Sequence, residues 1–204
     1  MPDDIKTVEE LVDHYGQPQG HLAEKEKPEL SPHCLRFLKM SPFCVLSTSA
    51  AGDGPADCSP RGDAPGFVHV IDSTTIAIPD RPGNRRTDTF HNIMENPEIA
   101  VMFMVPGLNE VMRLNGRARL TTDSALLDQM HANGKAPRAA LVIDIRYVYF
   151  HCGKAVIRSD LWNPENKVQK SDFPTLGKIN QDWYGVDADE TDARLANDYK
   201  NNLY

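Results

Sequence analysis

Residues 78–86 read IPDRPGNRR and run directly into TDTFHNIMEN at 87–96. The stretch joins the end of an apolar, β-branched run to the start of a helical pattern through a Pro/Gly turn. It also places Arg81, Arg85 and Arg86 within six positions of a chain whose formal net charge is -7. The spacing predicts a helix over about 85–95, with Asn84 as its N-cap and Arg85 and Arg86 in its first turn. Cations are mildly unfavourable there, because the helix dipole already carries positive charge at that end. An anion seated on the turn reverses that sign. A helix start offers N–H donors to an anion, and arginine adds planar donors that match phosphate oxygens. Pro79 and Pro82 stiffen the turn, and Gly83 leaves room for a ligand to approach. The competing reading is a solvated turn with the arginines paired to Asp88 and Glu95.

A second cationic element, CSPRGDAPGF at 58–67, puts Arg61 near a strand end, within reach of the same anion. Its plainer reading is an Arg61–Asp63 surface turn.

The flanking sequence is mainly β. FCVLSTS (43–49), GFVHVID (66–72), TTIAIP (74–79), EIAVMFMV (98–105), EVMRLNGRARL (110–120) and AALVIDIRYVYF (139–150) are short runs separated by turn residues. Most alternate, as Leu114, Gly116, Ala118 and Leu120 do against Arg113, Asn115, Arg117 and Arg119. That pattern suits antiparallel pairing with one dry and one wet face. Further helical segments are expected at 122–133 and 153–162. Thr7 with Glu10 forms a capping box, and Ser31 followed by Pro32 starts a second short helix. The expected organisation is an N-terminal helix and arm (1–30), a β domain (31–165) and an acidic arm (166–204). That arm should dock on the barrel or a partner subunit through Trp183, Tyr184, Tyr199 and Tyr204.

Composition excludes several functions. A 204-residue chain with 40% hydrophobic and 25% charged residues is an ordinary globular protein. Its acidity argues against nucleic-acid and membrane-surface binding, which need a basic field. The first residues, MPDDIKTVEE, do not resemble a secretory signal. Four scattered cysteines with no CxxC pair suggest neither a metal site nor a disulfide framework, and a cytoplasmic location is expected. Cys152, beside His151, reads as a packed, unreactive thiol. Met102, Phe103 and Met104 read as core filling, and His69 as a barrel or interface histidine.

No Rossmann fingerprint and no P-loop is present, so a nucleotide must sit on a β scaffold. The order of elements resembles the FMN-binding split-barrel family that contains pyridoxamine 5'-phosphate oxidase. The features that carry the likeness run from residue 31 to about 165. They are PADCSPR at 55–61, the strand TIAIP, the Asn-Arg-Arg turn, NIMENP at 92–97, IAVMFMV and VMRLNGRARL. The segments SPRGDAPGFVHV, IPDRPGNRR and HCGKAVIRSDLW look closest to a branch of FMN-dependent proteins distinct from the vitamin B6 oxidase.

The resemblance implies an antiparallel split β-barrel with peripheral helices and a homodimer with FMN at the subunit interface. It also implies hydride or electron transfer with an unidentified small-molecule substrate. By position, Arg61, Asn84, Arg85 and Arg86 hold the phosphate end, while Ile78 and Pro79 run beside the flavin ring. Arg113 stands near the position where the family often has Gln. In HCGKAVIRSDLW, Lys154, Arg158 and Trp162 recur at i, i+4 and i+8, a helix face able to cover the flavin of the other subunit. No catalytic acid or base is assigned. Alternatives are a non-catalytic barrel that carries flavin or haem, and a reductase that uses the deazaflavin F420. The family oxidase ends in an arginine-containing segment, whereas this sequence ends DYKNNLY, so vitamin B6 oxidation is not implied.

Overall fold

The computed structural model describes residues 4–204. The first three residues of the expected 1–30 arm lie outside it. Seven strands form one antiparallel sheet: β1 (Phe43–Ser49), β2 (Ala56–Gly62), β3 (His69–Asp72), β4 (Thr75–Asp80), β5 (Glu98–Met104), β6 (Val111–Thr121) and β7 (Ala139–His151). Their order is β2-β1-β5-β6-β7-β4-β3. β2 and β3 end the sheet without pairing to each other, which makes this a split barrel. Among the described residues seven α-helices accompany it: α1 (Val8–Tyr15), α2 (Pro32–Met40), α3 (Asp88–Glu95), α4 (Ser124–Leu127), α5 (Lys154–Ser159), α6 (Leu176–Tyr184) and α7 (Ala188–Asn201).

Alternation decides the inner face. In β5, Ile99, Val101 and Phe103 are buried, while Ala100, Met102 and Met104 face the other side and are half-exposed. The two methionines are therefore not in the core with Phe103, because a strand sends successive side chains to opposite faces. One cluster joins Leu46 of β1, Phe103, Leu114 of β6 and Ile143 of β7 to Ile76 and Ile78 of β4. The sheet must curl for β1 and β4 to share a core, since three strands separate them in the sheet order. Phe37 and Leu38 of α2 join the same cluster. Each such side chain adds about 1.5–3 kcal/mol by leaving water.

The register of β6 on β7 shifts between Asn115 and Gly116, where Arg146 of β7 is left unpaired as a bulge. Glycine is required there, because a Cβ at Gly116 would run into the Asp144 carbonyl oxygen. Edge geometry accounts for two prolines in strands. Pro60 lies on edge strand β2, and Pro79 lies on β4 past its last pairing to β3, His69 with Ala77. From Ile78 onward the β3-facing side of β4 is therefore free, and the split opens at that point.

Both N-terminal caps form as the sequence suggests. Glu10 N–H donates to Thr7 Oγ1 at 3.2 Å, and Cys34 N–H to Ser31 Oγ at 3.3 Å. The 17–30 arm is bound to the sheet, Lys27 bridging to Val148 and the Leu30 N–H donating to the Ser73 carbonyl. α6 and α7 pack as a pair through Gly177. A Cβ there would meet the Ala188 carbonyl oxygen, and its N–H donates to Asp192 Oδ1 at 2.8 Å. Trp183, Tyr184 and Tyr199 are exposed rather than docked on the barrel, and Tyr204 is the tail aromatic that reaches it.

Candidate functional site

A cavity of about 1020 Å³ opens at the split. β2 supplies Arg61, β4 supplies Pro79 and Asp80, the following turn supplies Asn84, Arg85 and Arg86, and the start of β7 is preceded by Arg138. The segment at the end of α7 closes one side with Asp198, Asn202 and Tyr204. The cavity is at the upper end of the volumes that ligand sites usually have, about 300–1,000 Å³.

The turn differs from its expected form. α3 begins at Asp88 with Thr87 as N-cap, so Arg85 and Arg86 precede the helix instead of occupying its first turn. Asn84 caps no helix. Its Oδ1 accepts the Arg86 N–H at 3.0 Å, closing a side-chain turn of the kind Asn favours outside helices. The left-handed residue of the turn is Arg85, at φ 62°, and not Gly83. A non-glycine side chain held at positive φ is strained, and such strain concentrates at ligand-binding turns.

The three arginines separate into two kinds. Arg81 is pinned inward, its Nε donating to Asp63 Oδ2 at 2.7 Å and its Nη2 to the Met130 carbonyl at 2.9 Å. Its side chain is 15% exposed and that of Asp63 only 3%. Asp63 therefore pairs with Arg81 and not with Arg61. Arg86, 76% exposed, pairs with Asp88 at 2.9 Å, one of the pairings the plainer reading expects. An exposed pair of this kind contributes about 0–1 kcal/mol, so it competes weakly with a bound anion. Among the described residues no salt bridge involves Arg85, Arg61 or Arg138. Arg61 donates to the Pro60 carbonyl at 2.7 Å and lies 6.0 Å from the Phe90 ring centre.

α3 is fixed by polar contacts that hold the turn in place. Thr89 Oγ1 donates to Asp57 Oδ2 at 2.6 Å, and Asn92 Nδ2 to Thr48 Oγ1 at 3.1 Å within the core. Burial raises the Asp80 carboxyl above its usual range, while the charges of Arg61 and Arg138 pull it down by less. Asp80 thus holds a costly charge beside two cations, Arg61 and Arg138, on the cavity wall. Cys44 lies under Arg61, and burial pushes its thiol up to about 12 against a smaller lowering by Arg61, leaving it inert.

Other expected site residues lie elsewhere. Ile78 is buried in the main core cluster and does not line the cavity. Arg113 is on the outer face of the sheet, 5.3 Å from the Tyr149 ring centre. Lys154 and Arg158 lie on α5, but that helix ends at Ser159 and Asp160 takes the left-handed conformation. Trp162 is consequently off the helix, and its Nε1 donates to the Leu108 carbonyl at 2.7 Å. The expected i, i+4, i+8 face is therefore broken after its second member. Cys152 is exposed, not packed. Sequence reasoning missed Arg138, Asp80 and the α7 residues as cavity members. The DRP tripeptide was the available signal for Asp80, whereas nothing local marked the others.

Among the described residues no helix is long and apolar enough to cross a membrane, and no cluster of three His, Cys, Asp or Glu side chains could hold a metal ion. No curated protein matches the chain. Similar solved structures include HupZ from Group A Streptococcus, 16% identical with a TM-score of 0.49, covering 59% of this chain and 93% of that one. General stress protein 26 from Bacillus anthracis is 17% identical with a TM-score of 0.43, covering 64% and 94%. The FAD binding protein from Mycobacterium smegmatis is 15% identical with a TM-score of 0.40, covering 60% and 95%. Residues 30–152, which span all seven strands and the arginine turn, match the family model described as pyridoxamine 5'-phosphate oxidase, and the chain belongs to that family.

Proposed function

We propose that the protein is a flavoprotein that holds FMN in the arginine-lined split and acts as an FMN-dependent oxidoreductase on a small-molecule substrate. The observation that carries this reading is the strained Arg85 turn, with Arg86, Arg61 and Arg138 around one cavity. Four guanidinium groups, two on the turn and one each from β2 and the loop before β7, suit a terminal phosphate, which accepts several charge-assisted hydrogen bonds at once. Asn84 holds the turn, while Pro79 and the buried Ile78 stiffen the strand beside the ligand. Arg86 exchanges its exposed Asp88 partner for the phosphate. When bound, FMN supplies hydride or electron transfer, and the protein contributes binding, orientation and electrostatics.

The reading includes a homodimer with FMN at the subunit interface. Arg113, Lys154, Arg158 and Trp162 lie outside the cavity of their own chain and are assigned to the site of a second copy. Two features of the sheet's outer face support that assignment. Val45, Met102 and Met104 are half-exposed there. On the same face the Asn115 Oδ1 is buried with no hydrogen-bond donor among the described residues, a rare condition that a second copy would relieve. A cytoplasmic location belongs to the same reading.

Mass spectrometry of the supernatant from heat-denatured, freshly purified protein tests it. FMN at about one equivalent per chain is expected. Protein free of flavin that also fails to take up added FMN would refute the reading.

A further inference from the structure

The helix pair α6–α7 carries an apolar face that no other described residue covers. Trp183 is 72% exposed and Tyr184 69%, their rings meeting edge to face at 6.1 Å. Phe173 before α6, Leu176 at its start and Val186 in the elbow to α7 are exposed as well, and Gly177 is the buried residue of α6. At roughly 150–250 Å² for each aromatic side chain, Trp183 and Tyr184 alone show a few hundred square ångströms to water, the size at which an exposed patch marks an interaction surface. The face is held in place. The Gly177 N–H donates to Asp192 Oδ1, locking α6 to α7, and beyond α7 the Tyr204 Oη donates to Asp63 Oδ1 of the barrel at 2.7 Å.

Charge selects the occupant. From Gln181 to Asp192 the elbow holds five carboxylates and no Lys or Arg. Among the described residues Asp182, Asp189 and Glu190 form no salt bridge. The surface that covers this face must therefore be both apolar and basic. α5 is such a surface. Ile157 is 61% exposed with Leu161 exposed beyond it, and Lys154 and Arg158, one turn apart, are likewise in no salt bridge among the described residues. Asp160 does not cancel them, since its Oδ2 accepts from Asn163 and Asn166. Other faces match less well. Arg117, Arg146 and Arg119 on the outer sheet face are already paired with Glu98 and Asp144, and the exposed face of α1 is itself acidic.

We infer that the α6–α7 elbow of one copy clasps α5 of a second copy, with Trp183 and Tyr184 on Ile157 and Leu161 and with Asp182 and Asp189 facing Lys154 and Arg158. The inference rests on the homodimer reading above. That reading lays α5 over the second copy's cavity, one wall of which is the segment at the end of α7, so the two surfaces are neighbours in the dimer. A twofold axis makes the contact twice. Both surfaces lie after residue 152, outside the matched family domain.

Carbodiimide, which joins a carboxylate to a lysine amine where the two touch, tests this on full-length protein assembled from light and isotope-labelled chains. Peptide mass mapping of wild type should find Lys154 joined to Asp182, Asp189 or Glu190 in pairs of mixed isotope mass, which only a link between copies gives. Lys154→Glu should lose that link. Adding Asp182→Lys and Asp189→Lys to it should bring the link back with the roles of acid and amine exchanged, a result misfolding does not produce. Wild type that sediments as a dimer but yields no mixed pair between these segments would overturn the clasp and leave the homodimer reading standing. Wild type that sediments as a monomer would overturn both.

Discussion

The two ends of the turn at 81–86 use the same residue type for opposite purposes. Arg81 is buried against a buried carboxylate and a carbonyl, so its charge is neutralised within the fold. Arg85 is held at a strained backbone angle beside a cavity with no ion pair among the described residues, so its charge remains for something else. Position relative to Asp63 makes the difference. On the proposed reading the first arginine serves the structure and the second a ligand, and substitutions should divide along that line.

The largest effect is expected at the closed end. Asp63→Ala leaves Arg81 buried without its partner and should cost about 3–5 kcal/mol of stability, read from the denaturant midpoint. The open end should behave in the reverse sense. Arg85→Ala with Arg86→Ala should leave stability within about 0.5 kcal/mol, the usual range for exposed substitutions. FMN affinity should nevertheless fall by roughly a hundredfold or more, since each charge-assisted hydrogen bond contributes about 1.5–3 kcal/mol. A double variant that unfolds, or an Asp63 variant that does not, would erase the distinction.

Asp80 sharpens the comparison through pH. Its folded carboxyl titrates above its unfolded value, so its stabilising contribution is present at low pH and lost as pH rises through the folded pKa. Asp80→Asn should therefore melt above wild type at neutral pH, with the gap closing as both are acidified. A variant that melts lower at neutral pH would show that Arg61 and Arg138 outweigh burial. The smallest effect concerns thiols. Iodoacetamide should modify exposed Cys58 and Cys152 under native conditions and spare Cys34 and Cys44, with peptide mass mapping as the readout.

The fold was largely legible in the sequence because alternation is a local signal. FCVLSTS matches β1 to the residue, and the two caps at Thr7 and Ser31 form as written. Family membership was legible in an ordered set of short motifs. Errors arose where one residue's backbone state mattered. Asn84 is as good a turn former as it is an N-cap, and its choice moved the helix start to Asp88. Asp160 ended α5 early and took Trp162 off its face. Tertiary pairings left no local trace at all. Nothing near Asp63 announces Arg81 or Tyr204 as its partners, and Arg138 enters the cavity only because β7 pairs with β4.

Calorimetric titration of FMN into stripped wild-type protein and into the Arg85→Ala, Arg86→Ala variant bears most directly on the central claim. Tight, near-stoichiometric binding to wild type and its loss in a variant that remains folded is the result expected from a phosphate held at this turn. Equal affinity in both proteins would contradict it.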